Sequence, residues 1–547
     1  MNYSDKRVLI VDDQRPFLTL LRGVVNNMGA QSVVAVQNAD SALAACKKEK
    51  FDFIICDLHL GAGKKNGYQF LEEARQKNLV KPETVFAVVS ADSDRPVVFS
   101  SVEHQPDDYL IKPFSQAQLN LRLSKAYHKR VVLRSVYEAM QKNNTPDAIA
   151  ACRKLIMSGT RYAKTCCRLL AELYWKAGEY SQAKHMLTPL LAQKPQPWVS
   201  IALAKTDMYL TNYDAAIALA HDVSLRNPML FEAQDILAQC YLLQHDYASA
   251  LIAIERAIEI APYSVERQLA ACKIARQNQH YEMVKLRSLD VWELSKKSIH
   301  RDISHLCTYF RSILDAAEHC DDKHLRSRYQ HEMMTAIARY RHDDALARIE
   351  EDFDYSIYEN ILTARINYLD GRLLEAKRTL SECQQQIAVR FEKYPSAFAP
   401  DSIKVMLDLG EYDDAERLSK TLAKSGKQLD EGTLYALKSS VEQSAQRRRN
   451  YLNFNKQGIE HYNCGRYQEA HNAFTQAQKV APVNTGVALN ILQCNLKLIA
   501  QMKKPETRAI NALKQMYRHL KNMVMLESHQ QKFESLKGDL GKYVEVA

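Results

Sequence analysis

Residues that interrupt helices are scarce in this sequence, with 16 glycines and 15 prolines among 547 residues. With Ala, Leu, Gln, Glu, Lys and Arg abundant, that scarcity favours helix over most of the length. Long apolar runs are missing too. The longest, such as Phe53–Cys56 and Val85–Val89, are strand-sized, so no transmembrane helix and no membrane insertion is expected. The first residues pass from a polar start into Arg7-Val8-Leu9-Ile10-Val11 without the apolar core of an export signal, which makes a cytoplasmic protein the expectation. Twelve cysteines occur without a CxxC pair or regular ligand spacing, a pattern of reduced thiols in cores rather than of metal sites or disulfides.

A strong charge asymmetry is absent as well. The net charge is +10, but Met1–Lys125 holds 16 Lys and Arg against 15 Asp and Glu, so the surplus is spread thinly over the remainder. The basic runs His128-Lys129-Arg130 and Arg447-Arg448-Arg449 are short and read as solvated helix faces or linker. This argues against nucleic acid as the partner. The chain is too long for one core and should hold several domains or an extended array.

Over the first quarter, strand and helix signals alternate. Val8–Val11, Val33–Val36, Phe53–Cys56, Val85–Val89 and Tyr109–Ile111 read as buried strands. Amphipathic stretches lie between and after them at Phe17–Met28, Ala39–Lys48, Tyr68–Lys77, more weakly near Val97–Val102, and at Gln116–Tyr127. The alternation predicts a doubly wound α/β domain with a five-stranded parallel sheet covered on both faces. In such sheets ligands bind beyond the carboxyl ends of the strands.

The residues at those ends form a chemical set. Asp12 and Asp13 follow the first strand, Asp57 the third, Ser90 and Ala91 the fourth, and Lys112-Pro113 the fifth. Three carboxylates converging at one edge repel each other unless a cation intervenes, and a hard divalent ion such as Mg²⁺ suits them. Acids, one lysine and one hydroxyl suit phosphoryl transfer, in which a carboxylate attacks phosphorus to form an acyl phosphate.

In order and spacing, Asp12-Asp13, Asp57, Ser90-Ala91 and Lys112-Pro113-Phe114 resemble the CheY-like receiver domain of two-component response regulators. The resemblance implies that Asp57 accepts phosphate from a histidine kinase or phosphotransfer protein. It implies Mg²⁺ bound by Asp12, Asp13, Asp57 and the backbone carbonyl of His59. It gives Lys112 to the phosphoryl oxygens, Ser90 and Tyr109 to the switch that follows modification, and a cis peptide before Pro113. This sequence departs from the family at two places. The loop after Asp57 is about two residues longer before Gly67, and Asp92–Pro106 carries Pro96 and Pro106, so a short or mobile helix is expected there.

Beyond this domain the sequence repeats. Tyr180, Tyr213, Tyr247 and Tyr281 are 33, 34 and 34 residues apart; Ala183, Ala216 and Ala250 lie three positions after the first three, and Pro195, Pro228 and Pro262 fifteen after. This period resembles the tetratricopeptide repeat. A small Ala lets two helices approach, Tyr fills the gap beside it, and Pro ends the second helix. Asp147 and Ala150 suggest an earlier unit, and Gly371-Arg372-Leu373 with Ala376, Gly410-Glu411-Tyr412 with Ala415, and Gly465-Arg466-Tyr467 with Ala470 and Pro482 suggest later ones.

The expected division is a receiver over 1–128, about four repeat hairpins over 129–296, irregular charged helix over 297–355, about three further hairpins over 356–500, and capping helices over 501–547. Together these make an α/β receiver followed by an all-α solenoid whose groove suits a partner protein. The resemblances imply a signalling protein, not an enzyme acting on other molecules, and a homodimer is compatible with them. The alternatives are a nucleic-acid-binding regulator using the basic helical surface and a static scaffold with a phosphorylation-independent receiver.

Overall fold

The computed structural model describes residues 1–547 apart from 62, 92–102, 343–345, 347–352, 425–428, 503–505, 526 and 544–547. The expectation of a helix near Val97–Val102 falls outside the described residues. The chain divides into two compact units, Met1–Asp302 and Ile303–Ala547.

The first unit opens with strands β1 (Arg7–Val11), β2 (Ser32–Val36), β3 (Phe53–Asp57), β4 (Val85–Ser90) and β5 (Asp108–Ile111), all parallel, in the order β2-β1-β3-β4-β5. Val, Ile and Phe dominate because the sheet is buried on both faces. Alternate side chains feed two separate cores. Leu9, Val11, Ile54, Cys56, Phe86 and Val88 point to one, and Val8, Ile10, Phe53, Ile55, Val85 and Ala87 to the other. Helices α1 (Arg15–Asn27), α2 (Ala39–Lys48), α3 (Gly67–Gln76) and α4 (Gln116–Val132) cover the sheet. Their starts are written in the sequence: Asn38 caps α2, and Asn66 with Gln69 and Ser115 with Gln118 form capping boxes on α3 and α4.

A single buried residue, Leu133, separates α4 from α5 (Arg134–Gln141), so the receiver runs into the helical array without a linker. Ten array helices follow in antiparallel pairs: α5 with α6 (Thr145–Met157), α7 (Ala163–Ala177) with α8 (Tyr180–Gln193), α9 (Pro197–Tyr209) with α10 (Tyr213–Arg226), α11 (Phe231–Leu243) with α12 (Tyr247–Ile260), and α13 (Val265–Gln277) with α14 (Tyr281–Ser295). Each repeat tyrosine is the first residue of its helix. Ala183, Ala216 and Ala250 are fully buried at the helix crossings. Pro195, Pro228 and Pro262 stand two residues past their helix ends, where a missing N–H costs nothing. The earliest pair corrects the sequence register. Ala150 is exposed, and Ala148, three residues into α6, is the buried small residue.

The second unit is helical: α15 (Ile303–Glu318), α16 (Lys323–Tyr340), α17 (Tyr355–Leu369), α18 (Leu373–Arg390), α19 (Ala399–Leu409), α20 (Tyr412–Lys424), α21 (Glu431–Asn463), α22 (Tyr467–Val480), α23 (Thr485–Gln501), α24 (Thr507–Lys521) and α25 (Glu527–Leu540). The stretch expected to be irregular holds two regular helices, α15 and α16, packed on each other. What it lacks is the repeat signature: α15 carries an apolar stripe at Leu306, Phe310, Ile313 and Leu314 but also buries Ser304, Arg311 and Ser312 on its other faces. Ala376, Ala415 and Ala470 are buried at the positions equivalent to Ala183.

Gly410 ends α19 with φ +81°, and a Cβ there would collide with the Ala481 Cβ and lie 2.9 Å from its Cα. Left-handed backbone strain and overpacking therefore add, and Gly410→Ala should destabilise the second unit by about 3 kcal/mol in urea unfolding. In the first unit His300 Nε2 lies 2.9 Å from Glu72 of α3, tying the end of the array to the receiver. The hydrogen bond to Glu72 raises the His300 pKa above its ordinary value of about 6.5, against a smaller opposing effect of burial. The charged pair is therefore complete below about pH 6.5 and is lost as pH rises through the elevated pKa. An NMR titration should place His300 above its ordinary midpoint and return it there in Glu72→Gln.

Candidate functional site

The carboxyl ends of β1, β3 and β5 deliver Asp12, Asp57 and Lys112 to one point. Lys112 Nζ lies 2.8 Å from Asp12 Oδ2 and 3.0 Å from Asp57 Oδ2. Asp12 and Asp57 are buried and Asp13 is exposed, and a carboxylate oxygen from each of the three lies within 4.8 Å of the others. One ammonium thus faces three carboxylates, an excess of negative charge that fits a divalent cation with oxygen ligands. Burial, opposed by Lys112, raises the Asp57 pKa. Burial works against the Lys112 ammonium, but its bonds to Asp12 and Asp57 prevail and raise its pKa.

Backbone and aromatic contacts hold these groups in place. The backbone N–H of His59 donates to the Asp57 carboxylate, while the His59 side chain is exposed. The N–H of Gln14 donates to Asp12 Oδ1 at 2.8 Å. The Lys112–Pro113 peptide is cis, and Lys112 N–H donates to Ser90 C=O at 2.8 Å. Ser90 is buried at the end of β4, next to β5. Half-buried Tyr109 pairs with Val88 in the β4–β5 ladder and faces the helical array. The Lys112 ammonium stands 3.9 Å from the centre of the Phe17 ring, which itself packs edge-on against Phe114. In sequence Phe17 marks only the start of an amphipathic helix; its place behind a lysine 95 residues away carries no local signal.

The long loop after Asp57 is folded tightly. Leu58 and Leu60 are buried, Gly61 and Gly63 take positive φ, and Lys65 pairs with Asp40 and Glu73. Gly67 N–H donates to Leu58 C=O at 2.9 Å, returning the chain to the strand end. A Cβ on Gly67 would stand 2.6 Å from the Asp57 carbonyl oxygen. The neighbour is rigid backbone, so Gly67→Ala should cost about 1–3 kcal/mol of receiver stability, read by urea unfolding.

The basic runs have acidic partners. Arg130 Nε lies 2.6 Å from Asp107 and Lys129 Nζ 3.8 Å from it, Arg447 pairs with Asp408 at 3.1 Å, and Arg448 pairs with Glu416. All twelve cysteines are free thiols and ten are buried, including Cys56, whose pKa burial raises. Among the described residues no helix is long and apolar enough to cross a membrane.

Comparison with known proteins agrees with this geometry. Residues 8–124 match the family described as response regulator receiver domain, and residues 201–265 match the tetratricopeptide repeat. The chain is 29% identical over 143 residues to the probable transcriptional regulator ycf27 of Porphyridium aerugineum, covering 26% of this chain and 54% of that one. It is 29% identical over 119 residues to the alkaline phosphatase synthesis transcriptional regulatory protein PhoP of Bacillus subtilis, covering 22% and 47%. With the sensor histidine kinase GacS of Pseudomonas protegens it shares 34% identity over 119 residues, covering 21% and 12%. The chain spans about half the length, or less, of these relatives. A five-stranded CheY-like sheet followed by a largely helical region defines the class, a receiver joined to a repeat array. More particularly, the chain carries a response regulator receiver domain at its N-terminus and tetratricopeptide repeats after it.

Proposed function

We propose that the protein is a phosphorylation-controlled adaptor of a two-component pathway: Asp57 accepts a phosphoryl group, and the repeat array binds a partner protein. The observation that carries this reading is the meeting of Asp12, Asp13, Asp57 and Lys112 at one strand edge. An oxygen of Asp57 attacks the phosphorus of a phosphohistidine on a histidine kinase or phosphotransfer protein. The P–N bond breaks, its electron pair stays on the imidazole, and an acyl phosphate forms on Asp57. Lys112, held between Asp12 and Asp57, pairs with the transferred oxygens. Asp12, Asp13, Asp57 and the His59 carbonyl would hold Mg²⁺, which supplies neutralisation of the charge at the phosphoryl group. Buried Ser90 donates its hydroxyl to the phosphoryl group, and Tyr109 moves with it, changing the face presented to the array.

The chemistry ends with hydrolysis of the acyl phosphate, so the protein works as a switch on itself and not as an enzyme on other molecules. Partners in this reading are a phosphodonor on the receiver and a protein segment in the repeat groove. A nucleic-acid role is disfavoured because two residues of each basic run, Lys129 with Arg130 and Arg447 with Arg448, are paired with acids.

Wild-type protein incubated with acetyl phosphate and Mg²⁺ should gain one acid-stable, hydroxylamine-labile phosphoryl group. Asp57→Asn should gain none, and chelating Mg²⁺ should abolish labelling of wild type. Unchanged labelling in Asp57→Asn would sink the assignment of the acceptor.

A further inference from the structure

The first repeat array does not face solvent alone. Its inner face and the receiver together line a half-open cavity of about 1540 Å³. From the array come Arg168, Trp175, Trp198, Lys205 and Glu232; from the receiver come Glu103, Asp107 and Tyr109. Lys205 Nζ stands 4.8 Å from the Trp175 ring centre, and the Arg168 guanidinium 5.7 Å from that of Trp198. The surface expected to take a partner thus already faces the receiver.

One contact fastens the two together. Arg267, on α13, has a side chain only 3% exposed, and it reaches Glu103 of the receiver at 2.5 Å. Its other acidic partner belongs to the array, with Arg267 Nε 2.8 Å from Asp235 Oδ1 and Nη2 2.7 Å from Oδ2. Arg267 Nη1 also donates to Ala261 C=O at 2.5 Å. The fork to Asp235 lies wholly within the array, so Arg267 stays neutralised if Glu103 departs. Glu103 is therefore the removable member. It is also crowded, because Asp235 and Glu232 both act on it as like charges. Among the described residues neither Glu103 Oε2 nor Glu232 Oε2 has a hydrogen-bond partner. Three carboxylates around one guanidinium make a contact that holds but is poised to release.

We infer that the Glu103–Arg267 contact is an autoinhibitory latch: the receiver lies across the first repeat groove as its resident ligand, and a partner gains the groove when Glu103 leaves Arg267. Glu103 stands five residues before β5 and six before Tyr109, the residue proposed to move on phosphorylation. This regulation rests on the phosphorylation reading above only for its trigger; the latch itself rests on the contact.

The three tryptophans provide the test. Trp175 and Trp198 line the cavity, and Trp292 is fully buried and silent. Acrylamide quenching of tryptophan fluorescence in the full chain should rise about twofold in Glu103→Gln. Beryllofluoride with Mg²⁺ should raise wild type to the same level and add nothing to Glu103→Gln. Arg267→Gln is the second variant, with circular dichroism melting confirming that both are folded. Wild-type quenching in both folded variants would overturn the latch, and so would a beryllofluoride response in Glu103→Gln as large as in wild type. Absence of acyl phosphate on Asp57 would defeat the phosphorylation reading and leave the Glu103→Gln increase standing.

Discussion

Lys112 is the charge on which the receiver's chemistry depends. Asp12 and Asp57 are buried side by side at the ends of neighbouring strands, and two such carboxylates are costly without a cation between them. The ammonium at 2.8 and 3.0 Å supplies it. The cis peptide before Pro113, the backbone bond to Ser90 and the Phe17 ring all fix where that ammonium stands. A third acid, Asp13, then leaves the site short of positive charge, a deficit that fits a divalent ion with oxygen ligands.

Much of this was legible in the sequence because it is local. Strand ends, helix caps and prolines declare themselves within a few residues, so the sequence alone places Asp12, Asp57, Ser90 and Lys112 at one edge. The repeats were legible for the same reason, since each buried alanine sits three residues into its helix. The register failed at the earliest pair, where Ala148 and not Ala150 is buried, because no tyrosine marks the start of α6. The stretch over α15 reads as irregular because polar residues that the fold buries, Ser304, Arg311 and Ser312, look like solvent-facing ones in sequence. Contacts between residues far apart in sequence left no local trace at all. Glu103 and Arg267 are 164 positions apart, and neither has a neighbour that advertises the other.

Receiver and first array are best understood together as one compact unit. The chain passes from α4 to α5 through Leu133 alone, and the array returns to the receiver at Glu103 and at α3. On the proposed reading, a shift of the receiver would act on the inner face of the repeats through these contacts.

The direct passage through Leu133 also sets a concentration scale. Tethered without a linker, the receiver confronts the groove at an effective concentration on the order of millimolar or above. A soluble partner present at micromolar levels loses that competition unless its own affinity is far higher or the receiver's hold is weakened. On the proposed reading, the junction works as a threshold, deciding how scarce or abundant a binding protein must be before the array responds to it.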